Sequence, residues 1–390
     1  MDIKSIQNYL EEHEIDGWLL ADFHARNDIA VRMLRLSGIV TRRSFYFIPA
    51  DGTPVGLVHA IEQDKFAHLE GEIIPYSGYV GLESELEKLL RRYGRVAMEF
   101  SEKGRLPYIG LVDAGTIDLV KSFGVNVVSS ADLVAGFQAR LDVEQIAMHR
   151  IAAGNVLETK EKAFAYIKEC LENNRTVREY DVQQFMLDQF EKCDMTTASA
   201  PICAVEANAG NPHYEPSAEN SREIKKNELV LIDLWAKIKH DDAIFADITW
   251  MAFTGPKDAI PAKYVELFNV IAQARDAAVS FLRQNIDGRP VHGSEVDDVC
   301  RKVITDAGHG DAFTHRTGHS ITTTEHGTGP NIDNLETEDR RKLQKGHLFS
   351  IEPGVYFDDC GLRTEINVLI GHNGVEVTTL PLQAEILPLF

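Results

Sequence analysis

Four carboxylate side chains lie in stretches of sequence that are otherwise mostly apolar, where an ionised group is not expected. They are Asp233 in LVLIDLW, Asp247 in IFADITW, Glu352 in HLFSIEPGVY and Glu365 in GLRTEINVLI. The patterns around all four predict β-strands, so neither Glu352 nor Glu365 is expected in a loop. Because an unpaired carboxylate within a buried strand is costly in free energy, these residues are candidates for chemistry.

The two aspartates lie in a segment that predicts a hairpin with a polar turn. If the turn is centred near His240, Asp233 and Asp247 face each other directly, and opposed residues of an antiparallel ladder are only ~4.5–5.5 Å apart. Two ionised carboxylates at that distance repel each other, so either one holds a proton or a cation lies between them. For the hairpin taken alone, a salt bridge to Lys237 or Lys239 is an alternative explanation.

A metal centre accounts for all four carboxylates together. They carry about four negative charges, which two divalent cations would balance, and His319 in TGHSI lies between the two pairs along the chain. Two metal ions ~3.5–4 Å apart form a recurrent hydrolytic centre. Oxygen-rich ligation with one imidazole favours manganese, cobalt, iron or zinc over a copper or thiolate site. We therefore expect two divalent ions per chain, with manganese as the first candidate.

The length and the local patterns predict two domains. A chain of 390 residues exceeds what one hydrophobic core usually serves. Residues 1–135 alternate helix and strand and predict a small α/β domain, without a glycine loop of the kind that binds phosphate. Residues 136–390 carry the four carboxylates and the candidate histidine, and form the predicted catalytic domain.

Composition narrows the class of partner and the compartment. The net charge of −20 disfavours nucleic acid or an anionic membrane as partner. The first fourteen residues lack the apolar core of a signal peptide, and no stretch is apolar enough to span a membrane. The five cysteines are odd in number and show no CxxC pair. This usage favours reduced thiols and a cytoplasmic location over a disulfide framework.

The order Asp, Asp, His, Glu, Glu, in the contexts LIDLW, ADITW, TGHSI, SIEPGVY and GLRTEINVLI, resembles the pita-bread metallopeptidases. That family includes methionine aminopeptidase, aminopeptidase P and prolidase, and also creatinase. The resemblance covers roughly residues 142–387, and the preceding domain is similar to the amino-terminal domain of creatinase and prolidase. It implies an α+β fold, in which a small α/β amino-terminal domain is followed by a pita-bread catalytic domain.

The resemblance also implies a role for each of the five ligands. Asp233 would bind one metal ion, and Asp247 and Glu365 would bridge both ions. His319 and Glu352 would bind the second ion, and Glu352 would in addition carry the proton from the attacking water to the departing nitrogen.

Other residues match positions around the metal centre in the same family. His326 matches a second histidine that contacts the substrate carbonyl, and His213, in NPHYEP, matches one that lines the substrate pocket. Thr249 and Arg363 match residues that orient the bridging carboxylates. For His213 and His326, a solvent-facing histidine without a function is the alternative.

The sequence departs from the family in three places that bear on the substrate. Thirteen residues separate Asp233 from Asp247, a longer connection than is common in the family. Thr322 stands where prolidase-like members usually have glycine, and Gly327 stands where they have an acidic residue. The ligands are untouched, but the pocket for proline differs.

Three functions are consistent with these observations. The first is a metallopeptidase that cleaves the Xaa-Pro bond of short peptides, like prolidase or aminopeptidase P. The second is a metal-dependent lyase or small-molecule hydrolase on the same scaffold. The third, a metal-free binding module, would bury four uncompensated carboxylates at a large cost in free energy.

The resemblance further implies a homodimer, in which the small domain of one chain approaches the cleft of the other. His24, Arg26 and Arg42 are the candidates to reach across, because arginine binds a substrate carboxylate through two hydrogen bonds. Solvated charges on the domain surface are the alternative for these residues.

Overall fold

The computed structural model describes residues 1–390 and divides into two compact units, Met1–Gln138 and Ala139–Phe390. No helix in either unit combines the length and the apolar composition that crossing a membrane requires. All five cysteines are free.

The first unit is a six-stranded sheet with helices on both faces. Its helices are α1 (Ile3–Glu12), α2 (Asp28–Met33), α3 (Tyr79–Leu90), α4 (Ala114–Ser122) and α5 (Ala131–Phe137). Its strands are β1 (Gly17–Asp22), β2 (Ser44–Pro49), β3 (Val55–His59), β4 (Glu72–Tyr76), β5 (Arg95–Met98) and β6 (Asn126–Ser129). They are ordered β4-β3-β2-β1-β5-β6, and β2 and β3 form an antiparallel hairpin.

Strand β1 shows why this sheet needs cover on both faces. Trp18 and Leu20 belong to one buried apolar cluster, whereas Leu19 and Ala21 belong to another. Side chains of a strand alternate between the two faces of a sheet, so a continuous apolar run such as GWLLA is typical of a strand buried on both sides.

The second unit carries the longer helices and three small sheets. Its helices are α6 (Val143–Glu172), α7 (Glu179–Lys192), α8 (Ala262–Asn285) and α9 (Gly293–Asp306). Its strands are β7 (Met195–Thr196), β8 (Ile202–Val205), β9 (Leu229–Ile238), β10 (Ala246–Phe253), β11 (Leu348–Ile351), β12 (Gly354–Tyr356), β13 (Gly361–Arg363), β14 (Ile366–Gly371), β15 (Gly374–Val377) and β16 (Leu387–Pro388). The sheets are β16-β10-β9-β7 with β8 also paired to β9, then β11-β14-β15, and β12-β13.

The hairpin of β9 and β10 lies at the centre of this unit and is buried on both faces. Even-numbered residues such as Ile232 and Ile248 pack into a cluster with α6 and α7. Odd-numbered residues such as Leu231 and Met251 pack into a second cluster with α8 and α9. Asp233, Asp247 and Thr249 have odd numbers, so they share the second face with apolar neighbours.

The predicted pairing of the two aspartates is wrong by two residues. Asp233 is opposite Thr249, and Asp247 is opposite Trp235. The ladder is therefore centred on Asp241 rather than His240, because the turn 239–245 contains a tight bend and Phe245 donates its backbone N–H to Thr322 O instead of to β9. The two aspartates are diagonal neighbours on the same face, a separation that long side chains still bridge.

The prediction that Glu352 and Glu365 lie within strands is also wrong. Glu352 lies between β11 and β12, where Pro353 has no N–H to give to a ladder. Glu365 lies between β13 and β14, and its backbone N–H donates to Thr249 O at 3.1 Å. Both acids thus occupy breaks at which the chain leaves one sheet and enters another.

Candidate metal centre

Three of the predicted ligands meet in one buried cluster. Ligand atoms of Asp247, His319 and Glu365 lie within 4.8 Å of one another. A fourth predicted ligand is adjacent, because His319 Nε2 is 3.3 Å from Glu352 Oε1 as well as 3.6 Å from Asp247 Oδ2. The hairpin and the two strand breaks therefore direct these side chains to one place.

The hydrogen bonding of His319 fixes which ring nitrogen carries the proton. Nδ1 lies 3.3 Å from the carbonyl oxygen of Ser320, which can only accept, so Nδ1–H is the donor. The unprotonated Nε2 then directs its lone pair at the carboxylates of Asp247 and Glu352. A lone pair facing two acidic groups is unfavourable unless a cation lies between them, and neutral imidazole in this orientation is a typical metal ligand.

Unsatisfied oxygens provide a second test of whether a cation fits. Asp233 Oδ1, Asp247 Oδ1 and Glu365 Oε1 are buried and have no hydrogen-bond partner. Buried polar atoms without partners are rare in folded proteins and costly in free energy. Two of these acids, Asp247 and Glu365, cluster with the imidazole of His319, and carboxylate oxygens with one imidazole nitrogen form the donor set that divalent cations such as manganese or zinc use. The residues present therefore fit a metal centre.

The guanidinium of Arg363 orients two of the acids, Asp233 directly and Glu365 through Thr249. Its Nη2 donates to Asp233 Oδ2 at 2.5 Å, and its Nε donates to Thr249 Oγ1 at 3.0 Å. Thr249 Oγ1 in turn donates to Glu365 Oε2 at 2.8 Å, and Arg363 Nη1 donates to the Tyr356 hydroxyl. Each acid thus has one oxygen fixed by a donor and the other free, which is how surrounding residues orient metal ligands.

Ser350 holds two further predicted ligands, His319 and Glu352. Its hydroxyl donates to Glu352 Oε1 at 3.0 Å and accepts from the backbone N–H of His319 at 2.9 Å. The close approach requires glycine at 318, because a Cβ there would lie 2.0 Å from Ser350 O. The glycine before His319 therefore lets the segment 314–330, which we call the histidine tract, lie directly against β11.

Burial and mutual repulsion perturb the charges of this cluster. Burial raises the pKa of Asp247 and of Glu365 well above their ordinary values, and the neighbouring carboxylates add to the shift. Burial also lowers the pKa of His319, which keeps its imidazole neutral. A cation in the cluster would favour the ionised acids and the neutral imidazole together.

The histidine tract brings a further acid to the site that the sequence analysis missed. His326 packs edge-on against His319, with ring centroids 4.3 Å apart, and its side chain is 54% exposed. Glu325, only 18% exposed, has its Oε1 3.5 Å from His326 Nε2. Burial raises the pKa of Glu325 to about 8, and the charges of Asp233 and Glu352 contribute. The sequence feature that could have identified Glu325 is its position directly before His326 in SITTTEHG.

His213 lies outside the cluster. It is exposed, and its backbone N–H donates to Asn211 Oδ1. Burial lowers the pKa of His326 to about 4, and the charges of Arg316 and His213 add to this shift. The loop is anchored by the next residue, since the Tyr214 hydroxyl donates to the buried carboxylate of Glu179 at 2.6 Å. His213 is therefore an exposed residue of an anchored loop, and it is not brought into the ligand cluster.

The salt-bridge explanation of the hairpin is not what the structure contains. Lys239 pairs with Glu191 and Asp194 on the surface. Lys237 Nζ donates to the carbonyl oxygen of Thr323 at 3.0 Å. The cation bonded to Asp233 is Arg363.

In the first unit, the candidate residues for contacts between chains are on the surface. His24, Arg26 and Arg42 are exposed. Arg42 donates to Thr41 Oγ1, and Arg26 lies over the ring of Phe23 at 5.5 Å from its centroid.

Comparison with known proteins confirms the family resemblance and the fold class. Residues 148–372 match the family described as Metallopeptidase family M24. The chain is 28% identical to an Xaa-Pro dipeptidase of Lactobacillus delbrueckii subsp. lactis, over 98% of this chain and 100% of that protein.

Solved structures match over the whole chain. A dipeptidase from Pyrococcus horikoshii OT3 has a TM-score of 0.69 at 22% identity and covers 100% of both chains. An X-prolyl aminopeptidase from Caenorhabditis elegans, described as a cytosolic enzyme with a dinuclear active site, has a TM-score of 0.68 at 16% identity. It covers 98% of this chain and 62% of that one. These likenesses are consistent with the α+β pita-bread fold predicted from the sequence.

Proposed function

Because the chain belongs to metallopeptidase family M24, we propose that it uses two divalent metal ions to cleave the Xaa-Pro bond of short peptides. The observation that carries this proposal is the cluster of Asp247, His319 and Glu365 with its unsatisfied oxygens. It occurs in a chain that is related along its whole length to an Xaa-Pro dipeptidase.

Five residues would hold the metal ions, with manganese as the first candidate. They are the ligands inferred from the sequence: Asp233, Asp247, His319, Glu352 and Glu365. Bound divalent ions would lower the pKa of a water molecule toward neutrality and polarise the carbonyl of the bond to be cleaved.

Glu352 is suited to transfer the proton. It is the most exposed acid of the predicted ligand set, with 16% of its side chain accessible, and Ser350 fixes one of its oxygens. The attacking water would lose its proton to this carboxylate, which would then protonate the departing nitrogen.

The two candidate histidines outside the ligand set, His213 and His326, would act on the substrate. His326 is half exposed beside His319 and could donate a hydrogen bond to the carbonyl oxygen as negative charge develops on it. His213 would line the pocket on the exposed side of the same tract.

A panel of Xaa-Pro peptides of two and more residues tests this function. We expect turnover that is lost on dialysis against a chelator and restored by manganese or cobalt, with about two metal ions per chain by elemental analysis. Full activity in a metal-free protein would contradict the proposal, and so would turnover of a non-peptide substrate with no cleavage of any Xaa-Pro peptide.

Assembly as a homodimer and a cytoplasmic location stay predictions from the sequence. Light scattering tests the first, and a monomer at working concentration would exclude a role of His24, Arg26 and Arg42 across a dimer.

A further inference from the structure

Glu325 is an acidic side chain in the candidate site that neither the metal centre nor the proton transfer uses. It is mostly buried, yet its carboxylate accepts no hydrogen bond, and the basic nitrogen closest to it is His326 Nε2 at 3.5 Å. That distance is longer than a hydrogen bond. A carboxylate held in this way lacks a partner that a bound molecule could supply.

The backbone on both sides of Glu325 is fixed by hydrogen bonds. Before it, Phe245 N donates to Thr322 O at 3.1 Å, which ties the tract to the start of β10. After it, Gly327 N donates to Ser320 O at 2.6 Å. The turn that presents Glu325 is therefore ordered before any substrate binds, and such preorganisation lowers the entropic cost of binding.

The two charged groups that act on Glu325 are both carboxylates, Asp233 and Glu352. Arg363 is bonded to Asp233, and no lysine or arginine forms a salt bridge with Glu325. Glu325 therefore has no cationic partner within the protein.

The position of Glu325 indicates which part of a substrate it would meet. Its neighbour His326 is the residue assigned to the carbonyl of the bond to be cleaved, and that carbonyl belongs to the residue on the amino side. A carboxylate 3.5 Å from the His326 ring is thus close to that same residue.

We propose that Glu325 binds a positively charged group on the substrate residue at the amino side of the cleaved bond. This proposal rests on the proposed peptidase function and specifies its substrates. The cation is either the α-ammonium of a free amino terminus or the ammonium or guanidinium of a basic side chain. Both would form a charge-assisted hydrogen bond with the carboxylate.

Matched substrate pairs with the Glu325→Gln variant test the proposal. Arginyl-proline and citrullyl-proline differ in side-chain charge but hardly in shape, whereas alanyl-proline and propionyl-proline differ in the α-ammonium. Wild type should prefer the cationic member of one pair or both, and the variant should lose about ten- to a hundredfold in kcat/KM for that member only. The pair that responds identifies the cationic group.

Two results would overturn the proposal. An equal loss for all four peptides would mean that Glu325 positions His326 instead of binding substrate. A fall in metal content would mean that Glu325 is a metal ligand. Glu325→Asp should keep part of the charge preference, and Glu376→Gln, which removes a half-exposed acid of the same unit that is paired with Arg150, should leave it unchanged.

Calorimetry with the same peptides separates this proposal from the proposed function. If wild type cleaves none of the peptides, the Xaa-Pro activity fails. Tighter binding of a cationic peptide to wild type, lost in Glu325→Gln, would still support the role of Glu325, and equal binding would refute it.

Discussion

Both units of this protein bury carboxylates, and Glu99 of the first unit differs in its hydrogen bonding from the candidate metal ligands of the second. In the first unit, Glu99 is fully buried and accepts hydrogen bonds from Trp18 Nε1 at 2.7 Å, Asn27 Nδ2 at 2.7 Å and Ser130 Oγ at 3.1 Å. In the second unit, Asp247 and Glu365 each leave a buried oxygen without any donor.

The difference distinguishes a structural acid from a candidate ligand. Burial raises the pKa of Glu99 as it does that of Asp247, so burial and pKa do not separate them. Hydrogen-bond donors do separate them. Glu99 has donors for both of its oxygens within the folded chain, whereas Asp247 has an oxygen that only a bound group could satisfy.

The largest effect is expected on catalysis, at the predicted ligand that is assigned to proton transfer. Glu352→Gln keeps the shape but removes the proton-accepting oxygen, so kcat should fall by ~10²–10⁴. Steady-state kinetics on the Xaa-Pro peptide that wild type cleaves best measures this. A variant with unchanged kcat would remove Glu352 from the proton transfer.

The two adjacent histidines should separate metal binding from catalysis. His326→Ala should lose on the order of 10²–10³ in kcat because a donor to the developing oxyanion is missing, and it should keep its metal. His319→Ala should lose metal as well as rate. If elemental analysis finds the same loss of metal in both, the assignment of roles within this tract is wrong.

His149 is a buried histidine whose two ring nitrogens both form hydrogen bonds, and it should make the stability of the protein depend on pH. His149 Nδ1 donates to Phe245 O, and its Nε2 accepts from Thr378 Oγ1. Burial lowers its pKa from the ordinary value of 6.5 to about 4. The unfolded chain therefore takes up this proton first as the pH falls. The contribution to stability is complete above pH 6.5 and is lost between pH 6.5 and 4, by roughly 3 kcal/mol.

Denaturant unfolding at several pH values measures this dependence. His149→Gln has no group that titrates at this position, so its free energy of unfolding should decrease less than that of wild type over this range. Parallel curves for the two proteins would contradict the assignment.

The smallest effects are expected on the stability of variants at Glu99 and Asp247. Glu99→Gln places an amide donor among three donors and should lower the free energy of unfolding by ~1–3 kcal/mol, with metal content unchanged.

Asp247→Asn should instead change the metal content and leave the stability of the metal-free protein intact. It should lose metal while the metal-free protein unfolds no more easily than metal-free wild type, because a repelling acid has been removed. Equal destabilisation of both metal-free variants would show that the two acids do not differ in kind.

The sequence predicted the family, the fold class and the order of the candidate ligands, because these depend on residue types within local patterns. It did not predict the register of the hairpin, since the turn 239–245 is positioned by Thr322, a residue distant in sequence. The strand breaks at Glu352 and Glu365 also depend on bonds to distant segments, to Thr317 O and Thr249 O.

Glu325 was missed for a different physical reason. The four carboxylates of the ligand set stand out in the sequence because acids are rare in apolar strands, whereas Glu325 lies in a turn, where an acidic residue is ordinary. Only the folded chain shows that this turn is packed into the site.

Gly318 makes one position of this chain intolerant of every substitution. All other amino acids carry a Cβ, and that atom would lie 2.0 Å from the carbonyl oxygen of Ser350. Even alanine, the mildest change in most proteins, would have to separate the histidine tract from β11 and so displace His319 from the acids. In a saturation mutagenesis screen scored by activity, position 318 should therefore accept no replacement, a behaviour usually associated with residues that take part directly in the reaction, although glycine here contributes no functional group.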